Sequence, residues 1–262
     1  MTSRAVLQPS NLLSADLVGM APGTPAPSPS TSYRLGHPGR PARVPTIVIA
    51  ICDDSGSVTS PIGADPLSNR YAEVMHAFSV VARRGSGHGL GAALHFDTPT
   101  SGDTGPVPIT RRGLRLLRLG LRVPPDAAGT SRLAPSLQRA VEIADSYPDH
   151  KVILLVLSDF WLMDREPGQV LSDLAAFPGQ VHAVVLGAGL PVGVLDDRIT
   201  VTRIKRDDPP GSVARAVFAS LITHRPGSRL AGTANQEARR HWPLRIPQRL
   251  RYSLSTPSDT TR

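Results

Sequence analysis

The chain has 262 residues, 40% of them apolar and 4% aromatic, with a formal net charge of +8. That length holds one ordinary domain plus tails, and the single cysteine, Cys52, excludes an internal disulfide and a cysteine-built zinc cage. No apolar run reaches membrane-spanning length, and the N-terminal stretch has no continuous apolar segment of the signal-peptide kind, so a cytoplasmic location is expected. The charge is uneven. Residues 1–44 carry +3 and residues 224–251 carry +6, which leaves 45–223 near neutrality at −1. The basic character therefore belongs to the ends and says little about the middle.

Residues 1–44 read as a disordered segment, because Ala21 to Ser32 is almost wholly Ala, Pro, Gly, Ser and Thr and cannot bury enough apolar surface to offset its ordering entropy. Thr46 to Cys52 is a continuous β-rich run, the pattern of a strand buried on both faces. Asn69 to Arg84 repeats Tyr71, Val74, Met75, Phe78 and Val81 at helical spacing, and Gly85 can stop that helix. A second strand is expected over Gly89 to Phe96 and a short edge strand over Val107 to Thr110, where Pro106 and Pro108 suit an edge. Arg111 to Arg122 is a basic amphipathic stretch. It reads first as a surface helix showing its arginines to water and second as a docking face for an acidic partner.

Ser131 to Tyr147 predicts a helix, Lys151 to Ser158 a strand, Pro167 to Phe177 a helix and Val181 to Leu186 a strand. Ile199 to Ile204 closes the strands, and Ser212 to Thr223 forms the last helix, with Ser212 as its N-cap. From Arg225 onward the Pro, Arg and polar content predicts a loose basic tail over 225–262. A piece spanning Val44 to Arg225 should therefore melt close to the full-length midpoint. Strands alternating with helices predict an α/β fold, a doubly wound, mostly parallel sheet with helices on both faces, confined to 45–224.

The most informative pattern is Asp53-Asp54-Ser55-Gly56-Ser57 directly after the first strand. It sets a carboxylate and two hydroxyls on alternate residues. Hard oxygen donors of this kind suit Mg²⁺, which prefers an octahedral shell. Thr130 and Asp159 come from later segments whose ends should meet the same edge of a parallel sheet, where ligands bind. Residues Asp53, Ser55, Ser57, Thr130 and Asp159, in this order, resemble the von Willebrand factor A-type domain and its metal-ion-dependent adhesion site. The likeness extends over roughly Pro45 to His224 in the order of elements. The resemblance implies Mg²⁺ or Mn²⁺ held by those five residues and a partner protein whose carboxylate completes the metal shell. In bacterial members it implies work beside an AAA-type ATPase or within a multi-protein assembly. Phe160 and Trp161 depart from the family, which often has Gly after the last Asp. One ring is expected to pack inward and the other to stand beside the metal; the alternative is that both are core, given how few aromatics the chain has.

The chain is thus expected to be an interaction module and not an enzyme. The rival readings are a metal-dependent hydrolase using the same five residues and a nucleic-acid-associated protein acting through its arginine tails. The hydrolase needs a placed base; Asp54 should point away from Asp53 at a strand end, and His95 reads as structural or exposed. The second rival predicts binding that weakens steeply with salt.

Overall fold

The computed structural model describes residues 33–65, 69–85, 88–97, 99–187 and 190–231. The order of elements is β1 (Gly36–His37), β2 (Thr46–Cys52), α1 (Gly56–Thr59), α2 (Asn69–Arg83), β3 (Gly89–His95), β4 (Thr104–Pro108), α3 (Gly113–Gly120) and α4 (Ala134–Asp145). It continues with β5 (Lys151–Ser158), α5 (Pro167–Ala175), β6 (Gln180–Leu186), β7 (Thr200–Ile204), α6 (Ser212–Ile222) and β8 (Arg229–Leu230).

Six strands form one sheet in the order β4-β3-β2-β5-β6-β7. All neighbours are parallel except β3 and β4, which pair antiparallel. Strand order reverses at β2, since the chain moves outward to β3 and then crosses to β5. This is the switch point of a doubly wound sheet, where the carboxyl ends of neighbouring strands open a crevice. The expected α/β class stands.

β2 shows why the sheet is covered twice. Val48, Ala50 and Cys52 face a core built with Val74, Phe78 and Val81 of α2, Leu117 of α3 and Val217 and Leu221 of α6. Ile47, Ile49 and Ile51 face the other core, with Leu137 and Ala140 of α4 and Val170 and Leu174 of α5. A strand in which every second residue meets a different helical layer must be apolar throughout, as its sequence is. Burial pushes the Cys52 thiol up to about 12, so it behaves as a small hydrophobe. Gly91 in β3 lets two helices press close: a Cβ there would lie 2.8 Å from Phe78 Cε1 and 3.1 Å from Leu117 Cδ1.

Two stretches expected outside the domain belong to it. Residues 33–44 and 225–231 meet through β1 and β8, which pair antiparallel with Gly36 opposite Leu230 and His37 opposite Arg229. Leu35 is buried. Arg225, expected to open the tail, is buried too: its Nε donates to the Pro38 carbonyl and its Nη2 to the Gly85 carbonyl, each at 2.7 Å. Composition missed this because the anchors are single residues inside polar segments. The rest of the expected N-terminal segment (1–32) and of the C-terminal tail (232–262) lies outside the described residues.

Element ends differ by a few residues from expectation, and two differences have a clear cause. The edge strand lies at Thr104–Pro108, earlier than expected, because its pairing with β3 includes Ala93 opposite Thr104 and Gly91 opposite Val107. Gly211, with φ 91°, and not Ser212, is the N-cap of α6. The free amides are met from a distance: Glu73 of α2 accepts from Gly211 N at 2.7 Å and Ala214 N at 2.9 Å. A carboxylate at a helix N-terminus also complements the dipole.

Candidate functional site at the carboxyl edge of the sheet

β2 ends at Cys52, and the chain turns at once into the four-residue helix α1. Asp53 sits in that turn with 0% exposure. Its Oδ1 accepts the Ser55 amide at 2.9 Å, and its Oδ2 accepts the Ser158 hydroxyl at 2.5 Å. The Ser55 and Ser57 hydroxyls lie 3.0 Å apart, Ser55 buried and Ser57 exposed, so this group of oxygens runs from the interior out to solvent. Ser158 ends β5, the neighbour of β2, and its Oγ also accepts the Phe160 amide at 2.8 Å.

Burial raises the Asp53 carboxyl from its ordinary 3.8 to about 6; the hydrogen bonds from Ser158 and Ser55 oppose this, and the charge of Asp159 adds to it. Among the described residues no cation pairs with Asp53. Asp159 is half-buried, and its Oδ1 accepts the Trp161 amide at 3.0 Å. Thr130 arrives on the loop before α4. Its hydroxyl and its amide, the latter at 3.1 Å, both donate to Asp97.

The five expected residues are therefore gathered unequally. Asp53, Ser55 and Ser57 form one continuous unit, Asp159 reaches Asp53 through its charge, and Thr130 is held by Asp97. Three supporting residues escaped the sequence reading. Ser158 orients Asp53 from the next strand. Asp97, with φ 70°, ends the β3 segment as Asp53 ends β2. Asp164 accepts the Leu133 and Ala134 amides at 2.9 and 3.0 Å, tying the loop after β5 to the start of α4. Asp97 had a signal, a carboxylate just past an apolar strand. Ser158 and Asp164 had none, because their partners lie far away in sequence.

Asp54 points away from Asp53, as its place at a strand end requires. It is buried within a second network, where its Oδ1 accepts from Arg70 Nη2 at 2.8 Å and from the Tyr71 hydroxyl, and its Oδ2 meets His95 Nδ1 at 2.6 Å. Arg70 also donates to Asp65 at 2.8 Å and to the Asp53 backbone carbonyl at 2.9 Å. His95 Nε2 meets the Gly120 carbonyl at 2.8 Å, so both ring nitrogens are occupied. This network braces the turn that carries Asp53 against α2 and the end of α3. It leaves neither Asp54 nor His95 placed as a base for the edge site.

Phe160 and Trp161 divide as expected. Phe160 takes φ 58° and is buried in the core beneath α4 and α5, whereas Trp161 is 73% exposed beside Asp159. A cavity of about 280 Å³ opens there, lined by Asp159, Trp161, Leu162, Pro191 and Val194 among others.

A donor set of two carboxylates and several neutral hydroxyls fits a hard divalent cation. Among the described residues no three His, Cys, Asp or Glu side chains converge into a metal cage, so hydroxyls would have to supply much of any shell. No helix among the described residues is long and apolar enough to cross a membrane.

A scan against protein families finds no match for this chain, and a search of curated proteins finds none either. Solved structures with a related course of the chain include proximal thread matrix protein 1 of the mussel byssus, at 15% identity over 69% of this chain and 48% of that one, TM-score 0.46. Another is the pilus adhesin SpaC of Lactobacillus rhamnosus GG, at 12% identity over 70% of this chain and 30% of that one, TM-score 0.47. A third is an aerotolerance-related membrane protein of Bacteroides fragilis, at 12% identity over 75% of this chain and 95% of that one, TM-score 0.36. This chain matches less than half the length of the first two. The fold rests on the strand order and register of the chain itself, and likenesses this distant assign no activity.

Proposed function

We propose that this chain is a protein-interaction module whose edge site holds Mg²⁺ or Mn²⁺ and captures a carboxylate from a partner protein. The observation that carries the reading is Asp53: a carboxylate with no exposure, fixed by Ser55 and Ser158, with no cation paired to it among the described residues. A buried anion is costly unless a counter-charge meets it. The neighbouring Asp54 has the Arg70 guanidinium for that purpose, with His95 as a hydrogen-bond partner. Asp53, Ser55 and Ser57 would hold the ion, with Thr130 and Asp159 completing the set from neighbouring loops. A divalent ion bound mainly by neutral hydroxyls keeps enough positive charge to attract an outside carboxylate.

The chain's own residues then orient that partner. Ser57 marks the solvent side of the site, and Trp161 offers a large exposed ring beside it. The resemblance to von Willebrand A-type domains supports this reading and favours a partner in an AAA-type ATPase complex or another multi-protein assembly. The module performs no chemistry of its own, in keeping with the engagement of Asp54 and His95 elsewhere.

Calorimetric titration with Mg²⁺ and Mn²⁺ tests the site. The wild-type chain should bind, and Asp53→Ala should lose binding while its circular dichroism stays that of a folded domain. Equal affinity in the two proteins would overturn the assignment.

A further inference from the structure

A second surface, with none of the five edge-site residues in its lining, lies between α2 and α3. It is a groove of about 580 Å³ with Met75, Leu121 and Val123 among its apolar lining and Arg83, Arg118 and Arg122 on its rim. The three arginines are exposed, and so are Arg84, next to Arg83 at the end of α2, and Arg111, Arg112 and Arg115 at the start of α3. Among the described residues none of these seven guanidinium groups forms an ion pair; the arginines that do are Arg70, Arg139 and Arg198. Leu116, Leu119 and Val123 stand exposed among the charges at 48%, 56% and 44%. The fold produces this cluster by setting the end of α2 beside a helix that buries only Gly113, Leu117 and Gly120.

Three cations without ion-pair partners among the described residues line an apolar groove, and four more exposed arginines lie on or next to the same two helices, which calls for an anion that also carries apolar side chains. We propose that this groove docks an acidic peptide segment of a partner protein, one bearing large aliphatic residues among its carboxylates. The chain's own ends do not meet that description: residues 232–262 hold six arginines against Glu237 and Asp259, and residues 1–32 hold only Asp16 and Arg4 as charged residues. A nucleic acid fits less well. Sequence-tolerant binding of single strands depends on exposed aromatic faces, whereas the ring of Tyr71 at the groove is buried and its hydroxyl is bonded to Asp54. None of the residues proposed to hold the cation lines this groove, so the docking can be tested with the cation removed.

The test uses the full-length chain with a chelator present, at about 0.15 M salt, where exposed charges act only over short range. Fluorescence anisotropy follows a labelled peptide of glutamates with leucines one helical turn apart, the same peptide with serine for leucine, and a short mixed-sequence single-stranded RNA. Binding of the leucine-bearing peptide should fall about tenfold or more in Arg118→Glu/Arg122→Glu, since reversing two rim charges turns attraction into repulsion. It should be unchanged in the charge-matched pair Arg139→Glu/Lys151→Glu, which lies elsewhere, and the serine peptide should bind more weakly than the leucine one. All four substituted residues are exposed, and melting midpoints close to wild type would show that the folds are kept. Equal loss in both charge-reversed pairs, equal binding of the serine peptide, absence of peptide binding, or displacement of the peptide by RNA at lower concentration would each overturn the proposal.

Discussion

Replacing Asp53 by Asn removes one charge and little shape, which makes it a direct probe of the edge site. Burial raises the Asp53 carboxyl from 3.8 to about 6 in the folded chain. The unfolded chain releases that proton near 3.8, so between these values the folded state binds more protons and stability falls as pH rises. The favourable contribution is complete below pH 3.8 and is lost as pH passes about 6. The gap between the two values corresponds to about 3 kcal/mol. Asn does not titrate in this range and contributes no such slope. Other carboxylates titrate in both proteins and cancel in the difference. In chelator, wild-type stability minus that of Asp53→Asn should therefore drop by about 2.4 kcal/mol between pH 4 and pH 7.5, since part of the full difference is already lost at pH 4. Urea denaturation followed by circular dichroism measures it. Adding Mg²⁺ at pH 7.5 should restore wild type alone, by about 2.7 kcal/mol at a hundredfold excess over its dissociation constant. Parallel pH profiles for the two proteins would refute the buried-anion argument. Equal stabilisation of both by Mg²⁺ would refute the metal assignment even if the pH argument held.

Asp54→Ala should be more damaging than Asp53→Asn, costing about 3–5 kcal/mol, because Arg70 and His95 lose their shared buried anion; a loss under about 1 kcal/mol in the same denaturation assay would show that Asp65 alone suffices for Arg70. Trp161→Ala removes a ring that is 73% exposed, so the melting midpoint should barely move, while magnesium-dependent partner capture should weaken by about 2 kcal/mol or more if the ring anchors the partner. A drop in midpoint of many degrees would instead make it a packing residue. Arg225→Ala should destabilise by about 2 kcal/mol, since the Pro38 and Gly85 carbonyls lose their donors. A piece trimmed to 44–225 should likewise melt well below the full chain, because it lacks both β1 and β8; an unchanged midpoint would show that this pairing is idle.

The sequence by itself determined the architecture. Seven consecutive β-rich residues in β2 and eight in β5, alternating with helical periodicity, leave few options other than a parallel sheet covered on both faces, because strands buried on both sides and joined by helices must be wound that way. It also set the Asp53-Ser55-Ser57 unit, whose members are close in space because they are close in the chain.

Only the tertiary structure decided what depends on distant partners. Ser158 reaches Asp53 across 105 positions, Glu73 caps α6 across 138, and Arg225 closes on Pro38 across 187. A polar residue buried by one long-range contact leaves no periodic trace, so composition placed Arg225 in a tail. The division between Phe160 and Trp161 shows the boundary within one dipeptide. The sequence left open whether one ring or both entered the core, and the fold buries Phe160, with φ 58° where β5 leaves the sheet, while Trp161 stays exposed.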